Sequence, residues 1–154
     1  MGELVLNKTI NNLFIYTDNR EWKKLKEVFT EKVFVDYTSI TGGESSTIHL
    51  EELITSWKSL FSGFDSTHHQ IGNILIDIYT ETSAHTSCYG MLSHFIKECE
   101  GGEIWKVYGS YDFHLVKIEG HWKINRLIFN FKFQEGNTVL PKIAANNVKS
   151  KNLL

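Results

Sequence analysis

The chain has 154 residues, 42% hydrophobic and 13% aromatic, enough for one domain with a substantial core. Charged residues make up 22% and the net charge is −2, which supplies no global attraction to nucleic acid. No apolar run approaches a membrane-crossing length. The start MGELVLNKTI lacks a secretory core and the serine or threonine at position six that myristoylation wants. Cys88 and Cys99 form neither a CxxC pair nor a zinc-ligand group, so a reduced, cytoplasmic protein without a metal or membrane partner is expected.

Ile10, Leu13, Phe14 and Thr17 lie at helical spacing and predict a first helix over 7–17. Asp18-Asn19-Arg20 breaks it, and Trp22, Leu25, Val28 and Phe29 predict a second helix. Val33 to Tyr37 is a short strand, followed by a polar, glycine-containing stretch from Thr38 to Thr47. Leu50, Leu53, Ile54, Trp57, Leu60 and Phe61 give a third helix with a broad apolar face, ended by Ser62-Gly63. From Thr67 the period becomes two, with strands expected over 68–80, 84–97, 104–118 and 121–133. Their short connections require antiparallel pairing, since parallel neighbours need long crossovers. Helices followed by a long meander predict an α+β domain over 1–134. Its helices close the concave side of a curved sheet around a pocket, and residues 135–154 form an extended or mobile tail. After Glu135 the tail carries Lys142, Lys149 and Lys151 and no acid, which fits a solubilising end.

Two histidines interrupt the apolar strand pattern, His69 and His94. Imidazole titrates near neutrality, so a histidine inside a pocket can both take and give a proton. A lone histidine on an apolar strand also serves as a satisfied core residue, and alternation alone does not decide whether His68 or His69 faces inward. Two roles are open to Asp18. With Glu21 it forms a capping box ahead of Trp22, or it faces the pocket from the helix junction. Tyr37 is either one more aromatic packing under the helices or a phenol whose hydroxyl meets a ligand oxygen. His69, His85, His94 and His114 are scattered over the strands, with no two at ligand spacing on one short element. Nucleophile elbows, P-loops, dinucleotide fingerprints and HExxH are absent from the sequence.

These landmarks resemble the scytalone dehydratase-like and SnoaL-like branch of the NTF2-like superfamily, across residues 7–134. They are Tyr16-Thr17-Asp18 with Trp22 and Leu25, then Asp36-Tyr37, then His69-Gln70-Ile71-Gly72. His94 follows 25 residues after His69 (94 − 69), and Gly120-x-Trp122-Lys123 completes the series. The resemblance implies an α+β cone and cofactor-free catalysis. It makes His69 the general acid/base, Asp18 and His94 a supporting pair, and Tyr37 a donor to a substrate carbonyl. Thr17 stands where the dehydratase has a second tyrosine, and Gly109 and Tyr111 replace a serine and an asparagine. With Phe129, these are the expected substrate contacts.

The implied reaction is removal of a proton α to a carbonyl with loss of a β-hydroxyl as water, on a small apolar or aromatic carbonyl compound. Isomerisation or cyclisation through the same enolate, a small-ligand carrier without turnover, and a dioxygenase β-subunit-like assembly partner are the alternatives. A homodimer or homotrimer through the outer sheet face is expected, with His85, Tyr89 and Met91 as candidate contacts.

Overall fold

The computed structural model describes residues 2–152. Helix α1 runs Gly2–Asp18, longer at its start than the apolar spacing alone indicated, and buries Leu6, Ile10, Leu13, Phe14 and Thr17 along one stripe. The second helix is a 3₁₀ turn at Trp22–Lys24 followed by the single turn α2, Leu25–Val28. Phe29 already begins strand β1, Phe29–Asp36. Val28 and Phe29 keep helical spacing with Leu25, but branched and aromatic side chains serve a strand equally well, and pairing with the sheet decides.

Asp36 ends β1 and turns its carboxylate onto Thr38, accepting from the backbone N–H at 2.9 Å and the hydroxyl at 2.7 Å. That bond starts the one-turn helix α3, Thr38–Thr41, inside the stretch expected to be loop. A short strand β2, Ser46–His49, precedes helix α4, Leu50–Phe61, whose Leu50, Leu53 and Ile54 are buried. Strands β3 (Ser66–Ile78), β4 (Ser83–Phe95), β5 (Ile104–Ile118) and β6 (His121–Gly136) form the expected antiparallel meander.

The six strands lie in the order β2-β1-β6-β5-β4-β3 in one mixed, unclosed sheet, because β1 pairs parallel to β6. The long path from β1 to β6 makes that parallel pairing possible. The ladder is irregular at Gly72/Leu75, Tyr108/Gly109 and His114/Leu115, and such irregularities bend and twist a strand locally. Phe113, Leu115, Ile124 and Leu127 on its inner face pack with α1 and α4 as the core.

Two expectations are revised by the C-terminal segment. Strand β6 continues to Gly136, and the residues read as an extended or mobile tail form helix α5, Leu140–Lys151. Leu140, Ala144 and Val148 bury one side of α5 against the end of α4. Pro141 stands in the first turn, where its missing N–H has no intrahelical partner to lose. Among the described residues, no helix is long and apolar enough to cross a membrane.

Candidate active site

The inner face of β3 settles the histidine phase. Thr67, His69 and Ile71 turn towards the helices, while His68 and Gln70 are exposed. The β3–β4 register sets Thr67 opposite His94, and β4–β5 sets His94 opposite Trp105. His69 and His94 are therefore diagonal neighbours, with ring centroids 5.6 Å apart and nearly perpendicular planes. Phe61, from the last turn of α4, stacks on His94 at 6.0 Å and meets His69 edge-on at 5.6 Å.

Asp18 is the last residue of α1, and its carboxylate is committed to β3. Oδ1 lies 2.5 Å from Nδ1 of His69 and accepts the Thr67 hydroxyl at 2.8 Å; Oδ2 accepts the His69 backbone N–H at 2.8 Å. No side chain caps the following 3₁₀ turn, and Glu21 pairs with Lys24, so the capping-box reading fails. Burial raises the Asp18 carboxyl, but the hydrogen bond and charge of His69, with Thr67, outweigh it and hold the group below the usual carboxylate range. Facing an ionised, acceptor-only carboxylate, His69 carries its proton on Nδ1, which leaves Nε2 as the basic nitrogen.

The supporting pair is assembled differently from the expectation. Asp18 braces His69 directly, whereas His94 donates from Nδ1 to the Trp105 carbonyl oxygen at 3.2 Å. His94 is 3% exposed and burial pushes its pKa down to about 3, with the neighbouring His69 charge acting in the same direction. It is a neutral imidazole presenting a bare Nε2.

That depressed value has a stability consequence. Below the ordinary histidine pKa of 6.5 the unfolded chain takes up a proton that folded His94 refuses until pH falls to about 3. Its contribution is thus present above 6.5 and is lost on acidification, at up to about 1.4 kcal/mol per pH unit. In denaturant titrations between pH 7.5 and 5, His94→Gln should lose stability with acid less steeply than the wild type. Parallel slopes would contradict the buried neutral assignment.

Both histidines line a cavity of about 420 Å³ between the sheet and α4. Tyr37, Trp57, Trp105, Tyr111 and Phe129 supply much of its wall, and no Asp, Glu, Lys or Arg side chain reaches it among the described residues. Tyr37 extends inward from the end of β1, 6.3 Å from Phe129. Burial raises its phenol well above the ordinary value, with the Trp57 indole N–H opposing weakly. Tyr111 is likewise raised by burial, with no hydrogen-bonding side chain or backbone group acting on it. Both phenols are therefore proton donors at neutral pH.

The expected contacts divide. Tyr37, His69, His94, Tyr111 and Phe129 line the cavity, while Asp18 stands behind His69. Thr17 lines a narrow extension of about 20 Å³ and spends its hydroxyl on the Leu13 carbonyl at 2.7 Å. Gly109 does not reach the cavity. A Cβ there would lie 2.4 Å from the Phe129 ring and 2.5 Å from the Asn130 carbonyl, so this position exists to let Phe129 lie flat on the sheet. Trp57 and Phe61 stand in the sequence only as apolar positions of a helix, and Trp105 as one residue of a long strand; nothing local marks the three as site residues.

Gly90 plays a similar role beneath Tyr111. An added Cβ would meet Tyr111 Cε2 at 2.9 Å and Leu92 Cδ2 at 3.3 Å. Gly90→Ala should push the Tyr111 ring into the cavity, cost about 1–3 kcal/mol and weaken binding of bulky aromatic probes more than small ones. Thermal melts and probe titrations would check this. Equal affinity across probe sizes would refute it.

A curved sheet closed by helices around one cavity, with histidines on its floor, defines an NTF2-like α+β cone. Within that superfamily the chain belongs to the SnoaL-like domain family, whose match spans residues 6–128. Searching curated protein sequences finds no match. Among solved structures, the Kfla4162 protein of Kribbella flavida is similar at a TM-score of 0.85 and 22% identity, covering 91% of this chain and 96% of that one. A candidate scytalone dehydratase of Novosphingobium aromaticivorans aligns at 0.74 and 20% identity, covering 88% and 87%. The type-3 LinA hexachlorocyclohexane dehydrochlorinase of Novosphingobium barchaimii aligns at 0.70 and 12% identity, covering 89% and 90%. At these identities the likeness establishes the fold.

Proposed function

We propose that this protein is a cofactor-independent hydro-lyase that removes water from a small, neutral, cyclic hydroxy-ketone. The observation that carries the reading is the Asp18–His69 pair opening onto a cavity with no charged wall. Nε2 of His69 takes the α-proton, and Asp18 stabilises the imidazolium that results. Electrons from the broken C–H bond move to the carbonyl oxygen, which Tyr37 or Tyr111 meets with a phenolic hydrogen bond. One such donor contributes about 2.7–4 kcal/mol to the transition state. Collapse of the enolate expels the β-hydroxyl, and His69 returns the proton to that oxygen as water leaves. His94, neutral and bare at Nε2, accepts from a substrate hydroxyl and orients it.

Two of the similar structures carry names of elimination enzymes, a dehydratase and a dehydrochlorinase, which supports this class of chemistry without fixing a substrate. The apolar, aromatic walls favour a ligand without formal charge, since a buried carboxylate or ammonium would lack a partner there. Offering a panel of cyclic β-hydroxy ketones in D₂O and following α-proton exchange and enone formation by NMR tests the reading. Saturable binding with no exchange anywhere in the panel would replace it with that of a ligand carrier.

A further inference from the structure

Arg20 stands immediately behind the Asp18–His69 pair, held there by an unusual backbone. Its φ is 59°, in the left-handed region that a non-glycine residue seldom occupies. Its N–H donates to the Thr17 carbonyl at 3.1 Å, and Nη1 donates to the Thr17 and Asp18 carbonyls at 3.0 and 3.3 Å. Those bonds alone would make Arg20 a cap for the end of α1. The same Nη1 also reaches across to β3 and donates to Thr67 Oγ1 at 2.8 Å.

That last contact fixes a proton. Arginine has no acceptor, so Thr67 Oγ1 accepts from it and must aim its single hydrogen elsewhere. The available target is Asp18 Oδ1, 2.8 Å away, the same oxygen that receives Nδ1–H of His69. We infer that Arg20 is a positioning residue which acts through the Thr67 hydroxyl on Asp18 to keep His69 in its free-base form. The inference rests on the reading of His69 as the proton acceptor.

Asp18 aligns His69, but an ionised carboxylate at 2.5 Å also favours imidazolium, and a base already protonated cannot take a substrate proton. Thr67 and Arg20 draw negative charge out of the carboxylate and make the resting Asp18–His69–Arg20 group neutral overall. Alignment is retained while the bias towards imidazolium is offset. Among the described residues no other charge intervenes. The groups facing His69 are Asp18 from α1, His94 from β4, Tyr37 from the end of β1 and Tyr111 from β5, with the uncharged Phe61 from α4. Burial keeps His94 and both phenols neutral through the range where an imidazole titrates.

The test is a pH titration of the His69 ring by proton–nitrogen NMR on the full chain. Arg20→Gln should raise the His69 pKa by about half to one unit, a three- to tenfold shift towards imidazolium. Arg20→Lys, which restores the charge, should return most of the shift. Thr67→Val keeps the strand and the arginine but severs the link, so it should also raise the value, and it decides the matter if Arg20→Gln does not fold. In the Thr67→Val background, Arg20→Gln should add less than it does alone. A His69 pKa unchanged or lowered in folded Arg20→Gln, or in Thr67→Val, would overturn the inference. The titration needs no substrate, so a panel without turnover leaves its outcome intact, and an unchanged titration leaves the elimination reading intact.

Discussion

Replacing His69 with alanine should lower α-proton exchange by about 10²–10⁴-fold, the range that a positioned general base contributes. Among the described residues no second base stands ready to substitute. His94 has its Nδ1 proton committed to the Trp105 carbonyl and resists protonation down to about pH 3, so it is far too weak a base to compensate. Asp18 lies behind the imidazole rather than on the cavity wall. The loss should appear mainly in the exchange rate at saturation, with ligand affinity changed little, because Trp57, Trp105, Tyr111 and Phe129 still form the walls. His68→Ala is the natural control: the adjacent imidazole is exposed on the opposite face of β3. Exchange that survives in His69→Ala, or falls equally in His68→Ala, would remove His69 from the mechanism.

The order of helices and meander was legible because each long element repeats one period over many residues. Strand β5 matches its expected bounds, and β3, β4 and β6 match within three residues at either end. The edges were not legible for physical reasons. Strand β2 is four residues, Ser-Thr-Ile-His, too short and polar to show a period. The parallel β1–β6 pairing joins segments almost a hundred residues apart, and nothing local encodes it.

Legibility of the site divides along the same line. His69 and His94 announce themselves as polar interruptions of apolar strands, Tyr37 only as an aromatic that could equally be packing, and the structure gathers all three around one cavity. What the interruptions cannot reveal is pairing. Asp18 sits two residues before Arg20 and about fifty before Thr67 and His69, and only the docking of α1 on β3 turns its carboxylate from a helix cap into a brace for His69. Arg20, in a loop tripeptide that looks like a helix break, carries no local sign of a link to β3.

Gly63→Ala should be the most damaging substitution outside the cavity, and it tests the segment whose structure was hardest to foresee. The helix α5 has only Leu140, Ala144 and Val148 on its buried side, among asparagines and lysines. What docks it is the absence of a side chain at Gly63. An added Cβ would fall 1.8 Å from the Ala144 carbonyl oxygen and 2.4 Å from its carbon, which are backbone atoms with no rotamer to yield. Asn147 also donates to the Gly63 carbonyl at 3.2 Å, so the same movement breaks a hydrogen bond. Overpacking against backbone lies at the upper end of its usual range, about 3 kcal/mol, or roughly 6–12 °C in melting temperature for a domain of this size. The disturbance should spread to the site. Phe61 and Phe64 flank Gly63, and both lie against His94, at ring separations of 6.0 and 4.9 Å. Hydrogen exchange should therefore report faster opening of α5 together with a shifted His94 ring resonance, the signature of a helix that clamps the cavity roof. A Gly63→Ala protein with wild-type melting temperature and an undisturbed His94 would show that α5 rides on the fold without bracing it.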